Sequence, residues 1–269
     1  MEKRSVGGVD LAFVDRGRGP VLLLVHGFPL DHSMWAAQIE DLSQLCRVIA
    51  VDLRGFGQSG PCAGTLTTEQ MADDLAALLD ALAIARPITL AGLSMGGYVA
   101  MAFCREYAAR LRALVLCDTR AGCDSPEAAQ NRRETAQRIL AEGPRVLLEG
   151  MIPKLFAPAT LRDKPQLVTM VEQMILRADP PAMAAALLGM AERPDSTPLL
   201  SQIRCPVLVL VGEHDAISPP AEMRVMAEAI PAGQLVEIPE AGHLCPMEQP
   251  EAAGAVLKRF LAALTEPRP

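Results

Sequence analysis

No run of lysine or arginine occurs in the 269 residues, and the formal net charge is −7 with a pI near 5.2. Neutralising a phosphate backbone takes clustered cations, so no nucleic-acid partner is expected. Long hydrophobic runs are missing as well. The apolar stretch nearest the start, "VLLLV" at 21–25, falls far short of the roughly 20 residues of a membrane span. The opening "MEKRSVGGVDLAFVDRG" has no h-region of a secretory signal. A cytoplasmic protein with no membrane partner is the expectation. Cysteines stand at 46, 62, 104, 117, 123, 205 and 245, an odd number with no CxxC pair. Neither a disulfide framework nor a zinc site follows, and no metal is expected. Internal repeats and low-complexity tracts are absent.

What is present is apolar side chain: 50% of residues are hydrophobic and 21% charged, enough for a sizeable core. Short Val, Ile and Leu runs alternate with segments of helical period, the pattern of a mostly parallel, doubly wound α/β sheet. The strand candidates are "DLAFVD", "PVLLLVHG", "RVIAVDL", "PITLAG", "RALVLCD", "PVLVLVG" and "QLVEIP". Thr67 and Gln70 have capping-box spacing before the stripe Met71, Leu75, Leu78, Leu79 and Leu82. A second stripe runs from Ala253 to Leu264.

The alternation breaks after Cys117 and resumes near Pro206. Between them lie "NRRETAQRILAEG", "PRVLLEGMIPKLF", "KPQLVTMVEQMILRA" and "PPAMAAALLGMAERP", helical pieces separated by prolines. A structureless loop of that length is foreign to a compact domain. The expected organisation is an α/β core over 1–119 and 199–269 with a helical cap inserted at 120–198. Its methionines, Met151, Met170, Met174, Met183 and Met190, fill core or line a site from above.

Gly92-Leu93-Ser94-Met95-Gly96 follows a strand and opens an Ala- and Met-rich helix. In that context G-x-S-x-G is a sharp turn that lifts a serine hydroxyl off the sheet, the glycines avoiding collisions. The bland alternative is a tight turn with an incidental serine. A nucleophilic serine needs an imidazole to take its proton and a carboxylate to orient the imidazole. The chain has 4 histidines. His26 ends a strand and reads as a turn-stabilising residue, His32 sits at a helix start, and His214 reads as a surface loop residue. His243, in the loop between the last strand and the last helix, is the candidate base, because sites in open α/β sheets lie beyond the strands' carboxyl ends.

Two acids follow strands on that edge: Asp215 in "LVLVGEHDAISPP" and Asp118 in "LVLCDTR". Asp215 has the longer reach and is the candidate partner of His243; Asp118 remains as an alternative acid or a substrate-binding residue, and Glu213 is a weaker contender. A charge developing on a carbonyl oxygen needs fixed donors. The N–H of Met95, after the nucleophile, and of Phe28, in "HGFP", are the candidates. Trp35 and Phe28 are candidate pocket walls, with Trp35 equally readable as a buried helix anchor. Gly55, Gly57 and Gly60 match G-x-G-x-x-G, but Pro61 and Gly64 stand where a phosphate-binding helix would open, so no nucleotide is expected.

"HGFP", "DLRGFGQSG", "GLSMGG", "GEHD" and "AGHLCPMEQPE" together resemble the α/β-hydrolase family over nearly the whole chain. The run "GLSMGGYVAM" is similar to small esterases and 3-oxoadipate enol-lactonases, and the chain is also similar to cofactor-free haloperoxidases. The order Ser94, Asp215, His243 matches the family order of nucleophile, acid and base. The resemblance implies an α/β-hydrolase fold with a helical cap and hydrolysis of small carboxylic esters through an acyl-enzyme, without cofactor. Enol-lactone hydrolysis, perhydrolysis or acyl transfer would use the same triad; a ligand-binding homologue without turnover is the alternative from another class.

Overall fold

The apolar runs form the centre of one eight-stranded sheet in the computed structural model, which describes residues 1–62 and 64–264. The strands are β1 (Glu2–Val6), β2 (Val9–Arg16), β3 (Val21–Val25), β4 (Arg47–Val51), β5 (Ile88–Leu93), β6 (Leu111–Cys117), β7 (Val207–Gly212) and β8 (Gly233–Ile238). Their spatial order is β1-β2-β4-β3-β5-β6-β7-β8. The β1–β2 and β2–β4 pairs are antiparallel, and every pair from β4 to β8 is parallel. Residues of β5 and β7 are buried throughout, which is why these strands read as continuous apolar runs and not as alternating ones. β1, "EKRSV", was not among the expected strands: four of its residues are exposed, so it carries no apolar signal.

The helices are α1 (Ala36–Leu42), α2 (Thr68–Ala81), α3 (Met95–Tyr107), α4 (Pro126–Glu142), α5 (Leu148–Leu155), α6 (Pro158–Asp163), α7 (Pro165–Arg177), α8 (Pro180–Ala191), α9 (Thr197–Leu200), α10 (Pro220–Glu228), α11 (Cys245–Glu248) and α12 (Pro250–Ala263). Thr67 caps α2 by accepting the Gln70 N–H at 3.1 Å. α4 and α8 start the same way, from Ser125 and Asp179, each followed by a proline whose missing N–H is no loss in the first turn. Among the described residues, no helix is long and apolar enough to cross a membrane.

Helices α4 to α9 occupy the connection between β6 and β7. The two crossings of this insertion meet: the Ser196 N–H donates to the Ala121 carbonyl at 2.9 Å. Beside them the buried Arg193 guanidinium donates to Asp124 at 2.7 Å and to the Gly122 carbonyl at 2.8 Å, and lies 4.1 Å over the Tyr98 ring of α3. The base of the insertion is thereby fastened to the helix that follows Ser94.

The parallel register pairs Val25 with Gly92, Leu93 with Cys117, Cys117 with Leu210 and Gly212 with Ile238. All these strands therefore end on one edge, where His26, Ser94, Asp118, Asp215 and His243 follow them.

Candidate active site

Ser94 stands between β5 and α3 with φ 54° and ψ −113°, a conformation that L-residues rarely adopt. Packing enforces it. A Cβ on Gly92 would lie 2.1 Å from the Gly96 carbonyl oxygen, and one on Gly96 2.5 Å from the Val25 oxygen, so only glycine fits at either place. The Ser94 N–H donates to the Cys117 carbonyl at 2.9 Å, and its own carbonyl accepts the Thr119 hydroxyl at 2.8 Å and the Gly97 N–H at 2.9 Å. Backbone bonds hold the turn on every side and leave the half-buried side chain free of them.

The structure brings His243 and Asp215 together. Nδ1 of His243 lies 2.9 and 3.0 Å from the two carboxylate oxygens, with the histidine side chain 3% exposed and the aspartate side chain 0%. Asp215 Oδ1 also accepts the N–H of Ile217 at 2.8 Å and of Ser218 at 2.9 Å, which fixes the carboxylate before α10 begins. An acceptor on Nδ1 holds the ring as the tautomer whose Nε2 carries a lone pair, the form a general base needs.

Asp118 has a different environment. It is completely buried, with φ 43°, and Oδ1 accepts the Gly212 N–H at 2.8 Å, while the thiol and N–H of Cys245 face the same carboxyl. Burial, and then the negative charge of Asp215, push its carboxyl well above the usual carboxylate range. Its burial removes it from the surface that a substrate reaches. Trp35 is also 0% exposed, so the structure gives it the core-anchor position rather than a pocket wall. Glu213 and His214 are exposed.

Met95 is the first residue of α3, so the helix offers its N–H no acceptor. The Gly27 backbone runs directly beside Leu93 and Ser94, which carries the N–H of Phe28 to the same neighbourhood. His26 shapes that loop: Nδ1–H donates to the Gly27 carbonyl at 3.0 Å and Nε2 accepts the Leu53 N–H at 3.0 Å. Burial lowers its pKa, consistent with a neutral ring that clips the end of β3 to the segment after β4. The Phe28 ring meets Phe56 edge-on at 6.3 Å.

One residue past Phe28 begins a cavity of about 510 Å³, bounded by Pro29 to Ser33, Asp52 and Gln58 and, from α7, by Met174 and Arg177. His32 on its wall donates from Nδ1 to Asp52 at 2.7 Å. Among the described residues Asp31, His32 and Asp52 place ligand atoms within 4.8 Å of one another. Their oxygens are already engaged: Arg177 donates to Asp31 at 2.6 Å, and Asp52 takes the N–H groups of His32 and Gln58, both at 2.8 Å. Two amides of the glycine triplet are also taken, since Gly55 donates to the Gly60 carbonyl at 2.8 Å and Gly60 to the Asp10 carbonyl at 2.7 Å. α2 opens only at Thr68.

Two residues that bear on the site had no clear sequence signal. Thr119 fixes the Ser94 carbonyl, and Glu248, 0% exposed, accepts the Gly242 N–H next to His243 at 2.7 Å. Burial raises the Glu248 pKa, opposed by the Thr160 hydroxyl and by backbone N–H groups.

The model of the Alpha/beta hydrolase family matches residues 22–255. A thermophilic esterase from Thermogutta terrifontis superposes with a TM-score of 0.98 at 52% identity, over 99% of this chain and 100% of that one. The enol-lactonase from Burkholderia xenovorans superposes with a TM-score of 0.91 at 31% identity, over 97% and 100%. In sequence, 3-oxoadipate enol-lactonase 2 of Acinetobacter baylyi is 30% identical over 245 residues, 90% of each chain.

Proposed function

The chain belongs to the alpha/beta hydrolase family, and within it we propose a serine hydrolase of small carboxylic esters. The observation that carries this reading is Ser94 itself, held at φ 54° at the start of α3 on the strand edge where His243 meets Asp215 at 2.9 Å. Strain at a serine in this turn, enforced by glycines packed on both sides, favours a reactive side chain over an incidental one.

In the proposed reaction Nε2 of His243 takes the Ser94 proton as Oγ attacks the ester carbonyl. Asp215 holds the imidazole and stabilises the imidazolium that forms. The N–H groups of Met95 and Phe28 receive the oxyanion. His243 then gives the proton to the departing alcohol, and water, activated by the same base, hydrolyses the acyl-enzyme. The helices between β6 and β7 serve as a cap over the acyl group.

The test is hydrolysis of p-nitrophenyl esters of increasing acyl length by the protein and its Ser94→Ala variant. Wild-type turnover that falls at least about 10³-fold in the variant is expected. No hydrolysis by the wild type at any acyl length would overturn the reading and leave a ligand-binding protein. Enol-lactone hydrolysis is the second reading, supported by the relatives at 30% and 31% identity, whereas the 52% identical esterase supports open esters. A panel that pairs lactones with open esters of equal carbon number separates them.

A further inference from the structure

The Glu248 carboxylate accepts backbone N–H groups from two different parts of the chain. Oε1 accepts Gly242 N–H at 2.7 Å, immediately before His243, and Oε2 accepts Ala157 N–H at 2.8 Å, at the start of α6 in the insertion. The Thr160 hydroxyl faces the same carboxylate, and Lys164 Nζ reaches the Glu248 carbonyl at 2.5 Å. The contact between the two parts is tight, since a Cβ on Gly242 would lie 2.6 Å from both Ala157 N and Phe156 C. From the other side the loop before His243 is bound to the acid's loop, the His214 N–H donating to the Ala241 carbonyl at 2.8 Å. His243 is therefore suspended between the Asp215 loop and the insertion, and Glu248 makes the second attachment.

We propose that Glu248 is a positioning residue for the reaction, locking the His243 loop and the cap into one register so that the seat of the cap sets where the base stands relative to Ser94. The inference rests on the serine-hydrolase reading above. A carboxylate suits the task because it only accepts, and both partners only donate; charge-assisted bonds to N–H groups are the strong kind. A glutamine of the same size would present NH₂ to one of the two N–H groups and push either the loop or the cap away.

The experiment compares wild type, Glu248→Gln and Glu248→Asp below their melting temperatures, by steady-state hydrolysis of p-nitrophenyl butyrate and by the rate at which a fluorophosphonate labels Ser94. The label needs the base but little substrate recognition. For Glu248→Gln, kcat and the labelling rate should both fall about 10- to 100-fold, the range that a displacement of about 1 Å produces, with KM changed much less. Glu248→Asp, which keeps the charge and still reaches one amide, should recover part of both rates. If Glu248→Gln does not fold, the aspartate variant carries the test alone and should label more slowly than wild type. Wild-type labelling and kcat in a variant that only melts lower would overturn the proposal, and so would a rise in KM alone. A wild-type Ser94 inert to both reagents would overturn the serine-hydrolase reading and this inference with it, an outcome distinct from equal labelling of wild type and variant.

Discussion

Replacing Asp215 by asparagine tests the site most directly, because the structure dictates how the amide must sit. Oδ1 accepts two backbone N–H groups, from Ile217 and Ser218. An NH₂ in that place would oppose both, so the asparagine oxygen takes it and the NH₂ occupies the position of Oδ2, 2.9 Å from His243 Nδ1. There it donates, Nδ1 must accept, and the ring proton moves to Nε2. The base then has no lone pair toward Ser94 although nothing has changed shape. Where a triad aspartate is exchanged in this way kcat falls about 10⁴-fold, roughly 5 kcal/mol of barrier. Asp118→Asn is the matched control: burial already disfavours the charged form of Asp118, and an amide oxygen can still accept from Gly212. Its kcat should stay within about threefold of wild type, the factor a change of less than 1 kcal/mol produces. Stability gives a second readout. A carboxyl whose folded pKa is raised contributes stability that is present below its unfolded value of 3.8 and lost as pH rises toward the folded one. Asp118→Asn should therefore gain Tm relative to wild type as pH is raised from about 4 to 8. Esterase assays on both variants, with circular dichroism melts over that range, decide the matter. Collapse of Asp118→Asn together with survival of Asp215→Asn would refute the assignment of the acid.

Gly92→Ala places a methyl 2.1 Å from the Gly96 oxygen, a backbone atom that cannot turn aside. A loss of about 3 kcal/mol is expected, or about 6–12 °C in Tm for a chain of this size, with Ser94 unreactive to fluorophosphonate; an unchanged melt would show that the turn yields more easily than its packing implies. His32 tests the wall of the cavity. Burial would lower its pKa, but the hydrogen bond and charge of Asp52 outweigh that and raise it. Its stabilising contribution is then full below the unfolded value of 6.5 and fades as pH climbs through the folded value. The Tm deficit of His32→Gln should be largest on the acid side of neutrality and shrink in alkali, and a deficit independent of pH would contradict the ion pair.

What could be read beforehand was what local pattern encodes. "VLVLVG" is apolar at every position because both faces of β7 are covered, and Pro126, Pro158, Pro165 and Pro180 stand at helix starts, whereas Pro153 lies inside α5. "EKRSV" could not be recognised by its side chains, since β1 is an exposed edge whose partner supplies the pairing. Asp118 and Asp215 look alike in sequence, each shortly after a buried strand. The difference arises in space, where one carboxylate meets an imidazole and two N–H groups and the other meets the Gly212 amide and Cys245. Glu248 was legible only as a letter in "AGHLCPMEQPE". Its partner Ala157 lies 91 positions away, beyond the reach of any spacing argument.

The hydrogen bond between Ser196 and Ala121 makes the insertion a side loop whose two ends coincide. Lengthening such a loop costs little, about 0.6 kcal/mol for each doubling, and the register between β6 and β7 need not respond. The residues between those two points are therefore an exchangeable module. Another helical segment grafted there would leave that edge of the sheet in place, provided it also replaces the contacts of Arg193 with Tyr98, of Arg177 with Asp31 and of Ala157 with Glu248.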